Sequence, residues 1–166
     1  KLEQRGLVAS FDRAEQVGRP RQYWQLTELG QREFPDRHSD LNLALIDNVR
    51  ELFGAEGLDA LIQQREQDTL RNYRDAMADC RDLPARIHKL AELRSAEGYM
   101  ADVEASDNGW LLLENHCPIC AAARHCQGFC RTELELFRHL LDAQVEREEH
   151  IIAGARRCAY RIIPAA

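Results

Sequence analysis

Tyr99-Met100-Ala101-Asp102-Val103-Glu104-Ala105-Ser106-Asp107-Asn108-Gly109-Trp110-Leu111-Leu112-Leu113-Glu114-Asn115 is the stretch where the period of the sequence changes. Upstream of it apolar residues recur every three or four positions. Here they alternate or cluster in runs too short for a helix. Residues 99–105 and 110–115 read as strands. Asp107-Asn108-Gly109 between them is a strong hairpin signal, because Asn and Gly accept the positive φ of a tight turn.

Outward from this hairpin the pattern repeats once. Pro84 opens an amphipathic helix through Ala96, with Ile87, Leu90, Ala91 and Leu93 as its apolar stripe, and Gly98 ends it. A second helix covers residues 131–141, with Leu134, Phe137, Leu140 and Leu141 facing inward. Residues 145–151 and 158–163 then read as strands separated by Ala153-Gly154-Ala155. Helix–hairpin–helix–hairpin predicts an α+β fold with a four-stranded antiparallel sheet covered on one face by two helices. Residues 41–53 carry Leu41, Leu45, Val49 and Leu52/Phe53 on one helical face, and residues 58–79 continue as helix.

Residues 7–13 and 21–26 form another hairpin, its tip at residues 14–20 bearing Gly18, Arg19 and Pro20. Gly6 ends a preceding helix as its C′ residue. Thr27 caps a short helix over residues 28–34, which Pro35 closes. Such a hairpin cannot bury enough apolar surface to stand alone, so Leu2, Leu7, Val8, Trp24, Leu26 and Leu29 need a covering surface. A helix ending in Gly, followed by a hairpin with Arg13, Arg19 and Arg21 at its tip, is the layout of a winged helix. In that layout the arginines touch phosphate or the minor groove. The plainer alternative is a hairpin docked on a helical domain with incidental arginines. The expected organisation is a winged-helix remnant at 1–40, a helical linker and dimerisation region at 41–82, and a cysteine-rich sensor domain at 83–166.

The chain has 166 residues, 22 Lys and Arg against 28 Asp and Glu, and a net charge of −6. Residues 1–40 hold seven charges of each sign, and the acidic excess falls in residues 41–166, so only the first segment suits a phosphate backbone. No apolar run approaches a bilayer span. Lys1-Leu2-Glu3-Gln4-Arg5 leads into no secretory signal, which makes the cytoplasm the expected location. The first residue is Lys, not Met, and we take the sequence to start inside a longer polypeptide.

Of six cysteines, Cys117, Cys120, Cys126 and Cys130 lie within fourteen residues, and Cys158 follows after twenty-seven more. In a reducing compartment such clustering points to metal binding. Cys117-x-x-Cys120 lets two thiolates reach one centre, and thiolates select zinc, Cu(I) or iron–sulfur clusters. Five thiols for four positions is untidy for closed zinc and suits an iron–sulfur site with ligands from scattered segments. Buried free thiols or a disulfide are the bland alternative. Arg124, Arg131, Arg156 and Arg157 lie near the cysteines in sequence and would balance thiolate charge. His116 and His125 read as flanking or exposed groups, and Cys80 as a small, half-buried apolar residue.

Leu2-x-x-Arg5-Gly6-Leu7-Val8, Gly18-Arg19-Pro20-Arg21-x-Tyr23-x-x-Leu26-Thr27-x-x-Gly30 and Phe34-Pro35 resemble the end of the recognition helix and the wing of ArsR/DeoR-like bacterial winged-helix regulators. Asn115-x-Cys117-Pro118, then Cys130-x-x-Glu133-Leu134-x-Leu136-Phe137 and Gly154-x-x-x-Cys158-x-Tyr160-x-Ile162, resemble the sensor domain of the repressor of Suf iron–sulfur assembly operons. This resemblance implies an iron–sulfur cluster held by Cys117, Cys130 and Cys158, with cluster occupancy governing binding to a double-stranded DNA operator by a homodimer. A further cysteine that some relatives carry falls near Gln144 and is absent, while Cys120 and Cys126 are additional.

A phosphate-binding Gly-rich loop, a Gly-x-Ser-x-Gly elbow and a His-Glu-x-x-His motif are all missing from the sequence. Cys117-x-x-Cys120 follows an antiparallel hairpin and does not open a βαβ helix, unlike a thioredoxin-type pair. The expectation is therefore a non-enzymatic regulator. A zinc-stabilised regulator sensing another ligand and a thiol redox enzyme are the alternatives.

Overall fold

The computed structural model describes residues 1–13 and 20–164. It is a mixed α+β structure with two antiparallel sheets, and it divides into two compact units, Lys1–Leu41 and Asn42–Ala166. The residues expected as a linker, from 42 onward, thus belong to the C-terminal unit.

In the first unit, β1 (Val8–Arg13) pairs with β2 (Arg21–Leu26) in the register Val8↔Leu26 to Arg13↔Arg21. Phe11 stacks on its cross-strand partner Tyr23 with centroids 5.8 Å apart. Residues 2–5 form turns and not a helix, and Gly6 follows at φ 69°. Thr27 caps α1 (Glu28–Gln31) as expected, its Oγ1 accepting from the Gly30 amide at 3.0 Å. That helix is shorter than the sequence pattern suggested. Leu7 is buried, while Leu2, Trp24, Leu26 and Leu29 stay 41–54% exposed, in keeping with a hairpin too small to enclose a core.

The second unit is entered along α2 (His38–Ala76), whose helical path breaks at Gly54 (φ 72°). Only glycine takes this left-handed backbone without strain. The break turns Ile46 and Val49 onto Leu58, Ile62 and Phe129 in a small apolar cluster. Next comes α3 (Leu83–Ala96), capped by Asp82, whose carboxylate accepts from the Ala85 amide at 2.9 Å.

The expected hairpin is β3 (Ala101–Ser106) with β4 (Gly109–Glu114), paired from Ala101↔Glu114 to Ser106↔Gly109. A Cβ on Gly109 would lie 2.1 Å from the Ile162 carbonyl oxygen, so a side chain there would push the neighbouring strand away. After β4 come α4 (Cys120–His125), α5 (Gly128–Leu141), β5 (Ala143–Glu149), a 3-10 turn at Ile151–Ala153 and β6 (Cys158–Pro164). Sheet order is β3-β4-β6-β5. The sheet meets α3 and α5 in one core around Ile87, Leu90, Leu112, Phe137, Tyr160 and Ile162. Cys80 packs half-buried at its edge. Among the described residues no helix is long and apolar enough to cross a membrane.

Candidate metal centre

Register places the site. Alternation along β6 turns Cys158, Tyr160 and Ile162 to one face of the sheet, opposite Glu114, Leu112 and Trp110 of β4. On the other flank Tyr160 faces Arg147 of β5 and Ile162 faces Val145. Apolar packing fills most of this face. At the end nearest the cysteines it turns polar, with Glu114, Cys158 and Arg147 side by side.

Arg94 reaches this corner from α3. It lies seven residues after Ile87, on the buried stripe formed with Leu90 and Ala91, whereas Leu93 is only half-buried. Its Nε donates to Glu114 Oε1 at 2.6 Å, and its Nη2 donates to Glu133 Oε1. The guanidinium also covers the Tyr99 ring, 3.3 Å from its centroid. Both Arg94 and Glu114 are nearly inaccessible, at 3% and 1% exposure. The Tyr160 hydroxyl donates to Glu133 Oε2 at 2.7 Å, and Arg147 Nη2 donates to the Cys130 carbonyl at 2.6 Å. Cys130 and Glu133 stand one turn apart at the start of α5. These bonds therefore set the beginning of α5 over the end of β6 that carries Cys158.

Cys117 follows β4, where the His116 amide donates to the Tyr99 carbonyl at 3.0 Å and fixes the exit of the strand. The Cys120 amide donates to the Cys117 carbonyl at 3.1 Å, folding the pair into a turn. Arg124 Nε donates to Cys120 Sγ at 3.3 Å. Burial pushes the Cys117 thiol up to about 12, and nearby Cys120 and Cys130 push the same way. Burial likewise raises Cys130 to about 11, with Glu133, Cys158 and Cys120 adding to the rise. Cys158 is raised too, mainly by burial and against a hydrogen bond from the Ile151 amide. Cys117, Cys120, Cys130 and Cys158 thus share one electrostatic environment.

Cys126 lies elsewhere. Its Sγ is 3.4 Å from where a Cβ on Gly128 would stand, and it packs against the Ile46–Leu58–Ile62–Phe129 cluster. Of the five thiols expected at the centre, Cys117, Cys120, Cys130 and Cys158 are linked by mutual electrostatic influence, whereas Cys126 packs against the apolar cluster. Among the described residues, no group of three or more Cys, His, Asp or Glu side chains is arranged to hold a metal ion.

The other expected residues are distributed as follows. Of the four arginines close in sequence, Arg124 contacts a thiol, Arg156 donates to Asn115 Oδ1 at 2.7 Å and Arg157 pairs with Glu149 at 3.1 Å. Arg131 lies near Glu66, which it partly counters electrostatically. The arginines that organise the corner are Arg94 and Arg147, which sequence reasoning missed. His116 is exposed, and His125 Nε2 meets Asp47 Oδ1 at 2.5 Å, tying α4 to α2. At the hairpin, Arg13 and Arg21 are exposed cross-strand partners. Arg19 lies outside the described residues.

Comparison with protein-family models, with curated proteins and with solved structures finds no match.

Proposed function

We propose that the chain is a DNA-binding transcriptional regulator whose C-terminal unit holds an inorganic centre, an iron–sulfur cluster, on Cys117, Cys120, Cys130 and Cys158. What supports this reading is that Cys117 before α4, Cys120 at its start, Cys130 of α5 and Cys158 of β6 influence one another electrostatically at the edge of a buried arginine–carboxylate network, in which Arg147 holds the Cys130 carbonyl. The donor set fits such a group: four soft thiols, with Arg147 and Arg124 adjacent to offset thiolate charge. When bound, a cluster supplies redox-sensitive crosslinking between distant segments.

This chain's own residues do the rest. To serve as ligands the thiols must shed their protons, which burial makes Cys117, Cys130 and Cys158 retain, and draw in from the positions described above. Arg94 and Arg147 keep β4, β5, β6 and α5 in register while they do so. His125 and Asp47 link α4 to the helix that continues into the N-terminal unit. In that unit Arg13, Arg19 and Arg21 are the groups assigned to the DNA backbone or minor groove. Ligation that favours one arrangement of α4 and α5 shifts operator affinity by linkage.

The test is an operator-selection experiment on the anaerobically purified full-length protein, followed by titration of the selected DNA with loaded and chelator-stripped samples. The proposal expects a change in affinity of at least about fivefold between the two. Equal affinity in both states contradicts it.

A further inference from the structure

The two limbs of α2 that meet at Gly54 line one open groove of about 280 Å³. Ile46 and Val49 face it from the limb before the break, Leu58 and Leu61 from the limb after it, and Ile119 and Phe129 from the cysteine segment. Its two polar lining side chains are Asn42 and Arg65. Asn42 stands twelve residues before the break and Arg65 eleven after it, so both lie toward the open end of the groove, away from the vertex. Arg65 follows Leu58 by seven and Leu61 by four, on the same helical face. Its guanidinium lies over the Phe129 ring, 5.9 Å from the centroid, and forms no ion pair among the described residues.

An apolar trough with one cation and one amide at its end selects an amphipathic molecule, since a few polar groups in an apolar site fix a ligand's orientation. The cation sets the sign of the head group. A guanidinium presents a donor fork matched to a carboxylate, and the Asn42 amide adds a further donor. A cationic head would be repelled, and a plain hydrocarbon would leave the fork unused. The neighbouring Asp47 carboxylate is held by His125 at 2.5 Å and Arg50 at 3.6 Å, which leaves Arg65 to an incoming anion. At about 30 Å³ for each water-sized group, the groove takes roughly nine non-hydrogen atoms. That is a carboxylate with a chain of about seven or eight carbons.

We propose that this groove binds a medium-chain monocarboxylate, with its hydrocarbon tail against Val49, Leu58 and Phe129 and its carboxylate on Arg65. Ile119 and Phe129 directly precede Cys120 and Cys130, so the bound molecule rests on residues adjoining two of the proposed thiol ligands. Binding requires no inorganic centre, and its test is independent of metal content.

Calorimetric titration of the full chain with octanoate should show one saturable site per chain. Octanol, with the same tail and no charge, should bind at least about tenfold more weakly. Butyrate, four methylenes shorter, should bind at least about 30-fold more weakly. Arg65→Gln should lose about tenfold in octanoate affinity and leave octanol affinity unchanged. Arg65 is exposed, so circular dichroism and the thermal midpoint of this variant should match wild type. Absence of saturable uptake by the wild type, the result expected if a second copy or another protein fills the groove, would overturn the proposal. So would equal affinity for octanol and octanoate, or an Arg65→Gln chain that binds octanoate as tightly as wild type.

Discussion

Arg94 donates to Glu114 across 2.6 Å at a point where both side chains are almost wholly removed from solvent. The same guanidinium holds Glu133, so one side chain ties α3 to β4 and α5. Removing one partner of such a bridge leaves buried charge uncompensated. Arg94→Met should therefore lower unfolding stability by about 3–5 kcal/mol in a urea melt. Arg94→Lys should recover only part of the loss, because an ammonium lacks the planar fork that spans two carboxylates.

Two carboxylates sharing one arginine have a pH consequence. Burial raises Glu114 from 4.5 to about 7; Arg94 offsets part of the rise and Glu133 adds to it. The folded chain therefore keeps a proton that the unfolded chain has already released between about pH 4.5 and 7. Stability from this group is greatest at the acidic end of that window and falls as pH rises through it. Glu114→Gln keeps an acceptor for Arg94 and should flatten the decline, measured as urea midpoints at pH 5 and pH 7.5.

Cys120 and Cys126 make opposite predictions. Cys120 shares the environment of Cys117 and Cys130, whereas Cys126 sits against Gly128 and the Ile62 cluster. Cys120→Ser should reduce iron and sulfide content by more than half. Cys126→Ala should retain the wild-type content and lose no more than about 1 kcal/mol of stability, the cost of a small half-buried apolar group. The reverse pattern of iron retention would assign the ligands the other way.

At the N-terminal hairpin, Arg13 and Arg21 face each other across the strands next to residues 14–19. Replacing both with Ala should weaken DNA binding nearly uniformly across sequences and reduce the slope of log affinity against log salt by about 2. Fluorescence anisotropy at several salt concentrations measures both. An unchanged slope would remove these arginines from the DNA contact.

Much of the C-terminal unit was legible because its signals are local. Asp107-Asn108-Gly109 specified the hairpin, Pro84 marked the start of α3, and residues 158–163 read as a strand. Strand order is a different matter: placing β6 rather than β5 against β4 depends on how two hairpins pack, which no local pattern encodes. The short α4 was missed because its six residues, Cys-Ala-Ala-Ala-Arg-His, form less than two turns and show no amphipathic period. Arg94 was overlooked because a charge reads as solvent-facing, although its seven-residue step from Ile87 put it on the buried stripe. Cys120 and Cys126 looked equivalent in spacing. What separates them is a tertiary contact, the approach of Ile62 to Gly128, which lies outside the reach of sequence spacing.

The most direct test of the central claim is iron and acid-labile sulfide content, with a visible absorption spectrum, of the full-length protein purified without oxygen, alongside Cys130→Ser. The account predicts a brown protein with iron and sulfide in near-equal amounts, both lost in the variant while its fold persists. A colourless, iron-free wild type with six titratable free thiols would contradict it.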